Sequence, residues 1–420
     1  MSKKKSIECR VEGFRSRYKY EPISFDAGTN LSLTLDGETG PKGISAKAAD
    51  LLDFAAAIYQ IERQLRRKPT SPPERFTLSM QLREPRAWND EAISAARDAL
   101  YLLGDAVWDL EFRPGLRSAI PNHQPSKERA PKRVVLFSGG MDSTCGLATS
   151  KSEARATQLV SFYTRQKTLQ REIAAELGYE RRCQWRMKWD KGAGPGHAFF
   201  YRSLLFLSLG AAIAESWDVK NIFQYENGVL ATAVPPGPAW LMTKHAHPLL
   251  HKHTGRLFSA LFGGDWKISN PFLPLTKREC VEKASKAIGK SKMMQVLGQT
   301  ETCWFLWSHR VIGGMKDPGL ACGICIPCIV RRTTKVPEKY AFDLLRRKIR
   351  NDPRQGTSFR SYYIFLEQVL KTKGSTANFY AMLPTSAREL VATGSLISLK
   401  DVHELFLKFG KEFMSTFKLR

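Results

Sequence analysis

Apolar residues in this chain recur with two different periods, and the switching between them predicts an α/β architecture. Leu31, Leu33 and Leu35 alternate with Ser32 and Thr34, a period-two strand that ends at the turn pair Asp36-Gly37. Leu51, Leu52, Phe54, Ala55, Ile58 and Ile61 follow helical spacing within residues 46–67. A strand is predicted over 76–82 and a helix over about 89–103. Asn89 or Asp90 supplies the cap of that helix, Glu91 sits in its first turn and Gly104 closes it. A strand over 106–112 completes the pattern. Residues 1–117 thus read as an α/β accessory domain, with no catalytic constellation in it.

Prolines 121, 125 and 131 among polar residues mark 118–132 as a linker. Val134 to Phe137 then form a short apolar run, the signature of a strand buried on both faces. It leads into Ser138-Gly139-Gly140-Met141-Asp142-Ser143-Thr144, and helical character runs on from Cys145 through Ala148. Further strands are expected over 158–162 and 221–225, with helices over 169–177 and 199–217. Strands alternating with helices predict a parallel sheet covered on both faces, with ligands beyond the carboxyl ends of the strands. The most apolar run, 204–214, falls well short of the ~20 residues that cross a bilayer and reads as a buried helix, so no membrane association is expected.

Between Glu226 and Pro274 the pattern loosens around prolines 235, 236, 238, 248, 271 and 274, and an irregular active-site loop region is expected. It carries His245, His247, His251 and His253. Loop or substrate contacts are favoured over a metal there, because no carboxylate is arranged with them and Pro248 interrupts the spacing. Thr276 and Glu279 stand as N-cap and N3 of the next helix, a capping box. The domain that carries this parallel sheet and its glycine turn is placed at 133–335. Residues 336–420 read as a helical region, with helices near 340–350, 358–370 and 402–417.

The glycine pair after the first buried strand suggests its chemistry. Two glycines let backbone N–H groups face inward, and the next helix adds its unpaired N–H groups and the positive end of its dipole. Ser138, Ser143 and Thr144 add hydroxyls, making a cradle for a multiply charged anion such as phosphate. No Gly-Lys-Ser/Thr follows, so it is not the Walker loop. A second signal is Cys322-Gly323-Ile324-Cys325-Ile326-Pro327-Cys328, with Cys303 upstream. Four thiolates at that spacing suit a structural tetrahedral zinc, and the further Cys-Pro of ferredoxins is absent.

Composition adds compartment and partners. The 420 residues contain eight cysteines, and the basic start lacks the apolar core of a secretory signal, so reduced thiols and a cytoplasmic location are expected. A formal charge of +25 suits nucleotides, an acidic protein or nucleic acid. No aromatic-interleaved RNA-binding signature accompanies it, so nucleic acid is not favoured.

The string Ser-Gly-Gly-x-Asp-Ser resembles the PP-loop of ATP pyrophosphatases. Combined with the cysteine segment, it resembles the 7-cyano-7-deazaguanine synthase (QueC) family over roughly 132–332. Phe162 and Gln166, Arg202, Asn227, the pair Thr276-Lys277 and the run from Cys322 to Arg331 fit that family's pattern. Ser203 replaces its Asn, Thr164-Arg165-Gln166-Lys167-Thr168 replaces its Tyr-Gly-Gln-x-His, and Glu226 to Ala231 replaces its Ser-Gly-Tyr-Pro-Asp loop. With additional regions on both sides, the layout resembles the longer QueC-like proteins of anti-phage operons, the QatC group.

The resemblance implies an adenine nucleotide alpha hydrolase-like core that binds ATP with Mg²⁺. A carboxylate, 7-carboxy-7-deazaguanine, would be adenylated and joined to ammonia or to an amine of a partner protein from the same operon. It implies an ATP cradle of Ser138, Gly139, Gly140, Met141, Asp142, Ser143 and Thr144, with Asp142, Ser143, Arg202 and Lys277 as catalytic groups. Gln166, Glu226 and Asn227 would contact the acceptor, and Cys303, Cys322, Cys325 and Cys328 would hold zinc. A PP-loop enzyme that adenylates a tRNA base and a non-catalytic nucleotide-binding scaffold of a defence complex are the competing readings.

Overall fold

The computed structural model describes residues 5–10, 23–26, 31–37, 40–65, 75–115, 127–162, 166–189, 200–234, 236, 243–303, 320–392 and 397–418. Most of the expected linker, together with Thr164 and Arg165, lies outside them. Strands β1 (Lys5–Arg10), β2 (Ile23–Asp26) and β3 (Leu31–Gly37) precede helix α1 (Ala46–Leu65). Then come β4 (Arg75–Leu82), α2 (Asp90–Gly104) and β5 (Val107–Pro114). β1, β2, β4 and β5 form a parallel four-stranded sheet in the order β2-β1-β4-β5. β3 leaves this group and pairs elsewhere.

The second sheet is built on β6 (Arg133–Leu136), followed by α3 (Met141–Thr149), β7 (Thr157–Phe162), α4 (Lys167–Glu176) and β8 (Arg182–Trp189). α5 (Arg202–Ser216), β9 (Asn221–Gln224), α6 (Gly228–Ala231), α7 (Pro248–Phe262) and β10 (Lys267–Ser269) continue it. Its order is β10-β9-β6-β7-β8-β3, parallel except for β3, which runs antiparallel along β8. β6 pairs with both β7 and β9, so the strand order reverses there. A crevice opens at such a switch point, between the loops that leave the two neighbouring strands. Those loops begin at Phe137 and Tyr225.

The helices tie the two sheets together. α1 packs on α5 and α2 on α7, so two helical layers lie between the sheets. One core runs through them, joining Leu52, Phe54, Ile58 and Trp108 to Leu204, Ala211, Ile213 and Phe258. Glu62 on α1 accepts hydrogen bonds from the N–H groups of Phe200 (2.7 Å) and Tyr201 (3.1 Å), satisfying donors at the start of α5. The indole of Trp108 donates to the Tyr201 hydroxyl at 3.0 Å. At the other end of α5, the Gly40 N–H donates to Ser216 Oγ (3.0 Å), and a Cβ on Gly40 would strike the Ser216 carbonyl.

The remaining elements are α8 (Lys277–Ile288), α9 (Lys290–Gln299), α10 (Ile326–Arg332), α11 (Arg347–Asn351), α12 (Thr357–Lys371), α13 (Thr376–Met382), α14 (Thr385–Ala392) and α15 (Leu399–Thr416). α12, α13 and α15 share an aromatic core with α6 and α10. The mixed α/β fold with a mostly parallel central sheet agrees with the expected architecture.

Two expectations are corrected. Residues 226–274 are not an irregular loop, because α7 and β10 lie in them. Pro248 stands in the first turn of α7, where its missing N–H would have no intrahelical partner, so it starts the helix instead of breaking it. The helix expected over 340–350 is confined to Arg347–Asn351. Asp343 turns the chain ahead of it by accepting from the Leu345 N–H at 3.0 Å.

Glu62 is the acceptor for two N–H groups in a dry layer, so its loss leaves buried donors unmet. Glu62→Ala is expected to lower unfolding free energy by about 1–3 kcal/mol in chemical denaturation. A change within error would show that water reaches the start of α5.

Candidate active site

The loop after β6 turns on Gly139, whose φ of +78° is the left-handed conformation that glycine favours. Gly140 caps α3 in extended conformation, and the first turn of α3 carries Asp142. The Ser138 hydroxyl lies 3.1 Å from Ser143 Oγ and accepts from the Gly140 N–H at 3.2 Å; Ser143 donates to the Gly140 carbonyl at 3.0 Å. Gln170 on α4 donates to the Ser138 carbonyl (3.0 Å) and accepts from the Gln184 amide (2.7 Å), fixing the loop to the sheet. Met141, Asp142, Ser143 and Thr144 are buried. Among the described residues Asp142 Oδ1 and Thr144 Oγ1 are buried without a hydrogen-bond partner.

Topology brings four more stretches to this loop. α8 packs on α3, and its capping box, Thr276 with Glu279, starts the helix so that Lys277 stands in its first turn. The Lys277 ammonium pairs with Asp142 Oδ2; the two side chains are 1% and 7% exposed. From the loop after β9, the Asn227 amide donates to Asp142 Oδ2 (3.3 Å) and to Glu226 Oε1 (2.9 Å). Glu226 Oε2 lies 2.8 Å from His245 Nε2, and His245 Nδ1 lies 3.2 Å from the Thr243 hydroxyl. Asn270 after β10 holds the Glu226 backbone through two hydrogen bonds, 3.2 and 2.8 Å.

Two carboxyl groups therefore surround one buried ammonium. Burial drives Asp142 up to about 7 against the pull of Lys277. Burial also acts to raise Glu226, but the hydrogen bond and charge of His245, with Lys277 behind them, bring it down to about 2. For Lys277 the loss of solvent is outweighed by Asp142 and Glu226, and its pKa is raised. At neutral pH the cluster holds a charged lysine, an ionised glutamate and an aspartate poised between its two forms.

The other sequence-derived candidates are placed as follows. Gln166 caps α4, and its amide donates to Glu301 Oε2 at 3.0 Å, with Glu301 itself beside Gly140. Arg202 opens α5, exposed, with its guanidinium 5.5 Å from the Phe206 ring; Phe206 packs on Phe162 at the carboxyl end of β7. The four histidines do not converge. His247 caps its own helix by accepting from the Leu249 N–H (3.2 Å), and His251 pairs with Gln224 Oε1 (3.0 Å). His253 faces Asp98 at 3.7 Å.

Cys303, Cys322, Cys325 and Cys328 place their sulfurs within 4.8 Å of one another, and no other group of potential ligands of this kind occurs among the described residues. Cys322 and Cys328 sulfurs are 3.9 Å apart, close to the ~3.8 Å edge of a tetrahedron with Zn–S bonds of ~2.3 Å. N–H groups of Ile324 and Cys325 point at Cys322 Sγ (3.4 and 3.3 Å), and that of Cys322 at Cys303 Sγ (3.2 Å), as in a metal-binding knuckle. The donor set fits a metal such as zinc.

This cluster is joined to the loop through Arg331, which is fully buried. It donates to Thr300 Oγ1 (2.8 Å), Thr302 Oγ1 (3.0 Å) and the Leu297 carbonyl (3.0 Å), pinning the segment that carries Glu301 and Cys303. Glu301, Gln170 and Thr243 were not singled out from sequence. Glu301 stands two residues before a ligand cysteine, but nothing in the sequence says that it faces Gly140.

The Ser-Gly-Gly-x-Asp-Ser turn thus stands at the switch point of a mostly parallel sheet, with the four-cysteine cluster later in the same half of the chain. No family model matches the chain. It is 25% identical to the 7-cyano-7-deazaguanine synthase of Alcanivorax borkumensis over 224 residues, 48% of this chain and 92% of that relative. It is likewise 25% identical to the synthase of Syntrophobacter fumaroxidans over 240 residues (49% and 92%), and 26% identical to that of Geobacter metallireducens over 227 (48% and 86%). The chain is QueC-like over about half its length. Among the described residues no helix is long and apolar enough to cross a membrane.

Carboxyl-carbon NMR of the protein across pH is expected to show Asp142 titrating near pH 7. Lys277→Met removes the charge that opposes burial, so the midpoint should rise. A midpoint near 4 in the wild-type protein would contradict the buried, shared arrangement.

Proposed function

We propose that this protein uses ATP to adenylate a carboxylate, with release of pyrophosphate, and then joins the acyl group to an amine. The observation that carries this reading is the orphaned, buried Asp142 Oδ1 beside the glycine turn, in a QueC-like sequence context. A carboxylate is a poor electrophile, and transfer to the α-phosphate gives it AMP as a good leaving group. The Ser138–Thr144 turn would cradle the departing pyrophosphate with N–H and hydroxyl donors. Lys277 would neutralise charge that develops there. Asp142, when ionised, would hold Mg²⁺ through Oδ1, and that ion would supply further charge neutralisation.

The acid we propose is 7-carboxy-7-deazaguanine, on the strength of the relatives' names. Gln166, at the start of α4 after β7, and Glu226 and Asn227, in the loop after β9, would read it. Arg202 would stand at the outer edge of the crevice at the switch point. The amine is ammonia or an amine of a partner protein, and the added N- and C-terminal elements support a role in a multi-protein anti-phage system. The four cysteines would hold zinc as a structural brace, since a closed set of four ligands leaves no position for substrate.

The experiment is to incubate the protein with ATP and Mg²⁺, with and without the acid, and separate the nucleotides. AMP and pyrophosphate are expected only with the acid, and Ser143→Ala should reduce their formation by about 10²-fold. ADP and phosphate, or activity indifferent to Ser143→Ala and Asp142→Asn, would contradict the assignment and favour a scaffold.

A further inference from the structure

Glu226, His245 and Thr243 form a hydrogen-bonded line, and the adenylation step makes no use of its outer members, His245 and Thr243. A carboxylate only accepts, so the 2.8 Å contact puts a proton on His245 Nε2 and leaves the Nδ1 lone pair facing the Thr243 hydroxyl. The other oxygen of Glu226 is fixed by Asn227, which also touches Asp142. The His245 carbonyl is held by Gln224 at 3.2 Å. The ring is thus held at both nitrogens and its backbone at the carbonyl, yet its side chain is 33% exposed, unlike buried His247 and His251. An oriented, accessible imidazole, joined by two residues to the phosphate loop, has the geometry of a proton acceptor.

We propose that His245 is the general base of the amine-transfer step, with Thr243 as relay and Glu226 as positioning residue. The inference rests on the acyl-transfer reading above. The amine nitrogen's lone pair forms the new bond to the acyl carbon. The acyl–oxygen bond to AMP breaks, and its electron pair leaves with the phosphate. The proton shed by nitrogen passes to the Thr243 oxygen while the Thr243 hydrogen moves to His245 Nδ1. Glu226 stabilises the imidazolium that results.

The test compares two nucleophiles on the full-length protein with ATP, Mg²⁺ and 7-carboxy-7-deazaguanine at pH 7. Ammonia gives an adduct whose strongly basic nitrogen needs a base to shed its proton; hydroxylamine is far less basic and traps an acyl-adenylate without one. His245→Gln is expected to slow the amide from ammonium by about 10²–10⁴-fold and hydroxamate formation by less than about threefold. Thr243→Val should show the same split at about tenfold. Equal loss with both nucleophiles, or loss with neither, would overturn the role of His245. Failure of the wild-type protein to form hydroxamate would overturn the acyl-adenylation reading instead, which keeps the two failures distinct.

Discussion

The ion pair of Asp142 with Lys277 is the constraint around which the rest is arranged. Taking two charges out of water costs several kcal/mol per ion, and a well-packed apolar pair would be as stable or more so. The pair survives in the crevice because more than packing is at stake. It ties the first turn of α3 to the first turn of α8, so two helix N-termini face one point. A second carboxyl, Glu226, is joined to Asp142 through the Asn227 amide and adds its charge near the same ammonium, and burial raises Asp142 to about 7. Electrostatic energy is thereby stored in fixed groups before a ligand arrives, the arrangement that stabilises developing charge most effectively.

The elements outside the central sheet converge on this arrangement. Glu62 and Trp108 hold the start of α5, where Arg202 stands. From the C-terminal side, Glu412 on α15 accepts from the Thr276 hydroxyl (2.7 Å), and Lys408 pairs with Glu279 (3.1 Å). Both contacts are to the capping box that starts α8, one residue from Lys277 and two residues beyond it. Arg278 in the same turn donates to the Thr333 carbonyl at 2.7 Å, linking α8 to the end of the cysteine helix α10. The regions flanking the QueC-like half are thus joined to the helix ends that carry its charged groups.

Features confined to one stretch of chain were legible in the sequence. The buried run before two glycines gave β6 and its turn, Thr276 and Glu279 gave a capping box, and the cysteine spacing gave the cluster. Features that depend on the path between stretches were not. Asp142 and Lys277 are separated by 135 positions, and only the strand order of the sheet brings them together. β3 reads as part of an N-terminal module because its alternation is local; its partner, β8, is recruited through the fold. α7 was obscured by Pro248, which looks the same in sequence whether it opens a helix or interrupts a loop. His245 could not be told from its three neighbours, because its distinction is the carboxylate of Glu226, 19 positions earlier.

Oxygen tracing tests the acyl-adenylate account most directly. The acid is supplied with both carboxyl oxygens as ¹⁸O, together with unlabelled ATP, and the products are weighed by mass spectrometry. If the carboxylate attacks the α-phosphate, each AMP carries one ¹⁸O and the pyrophosphate carries none. Label in phosphate or pyrophosphate, or unlabelled AMP, would contradict it.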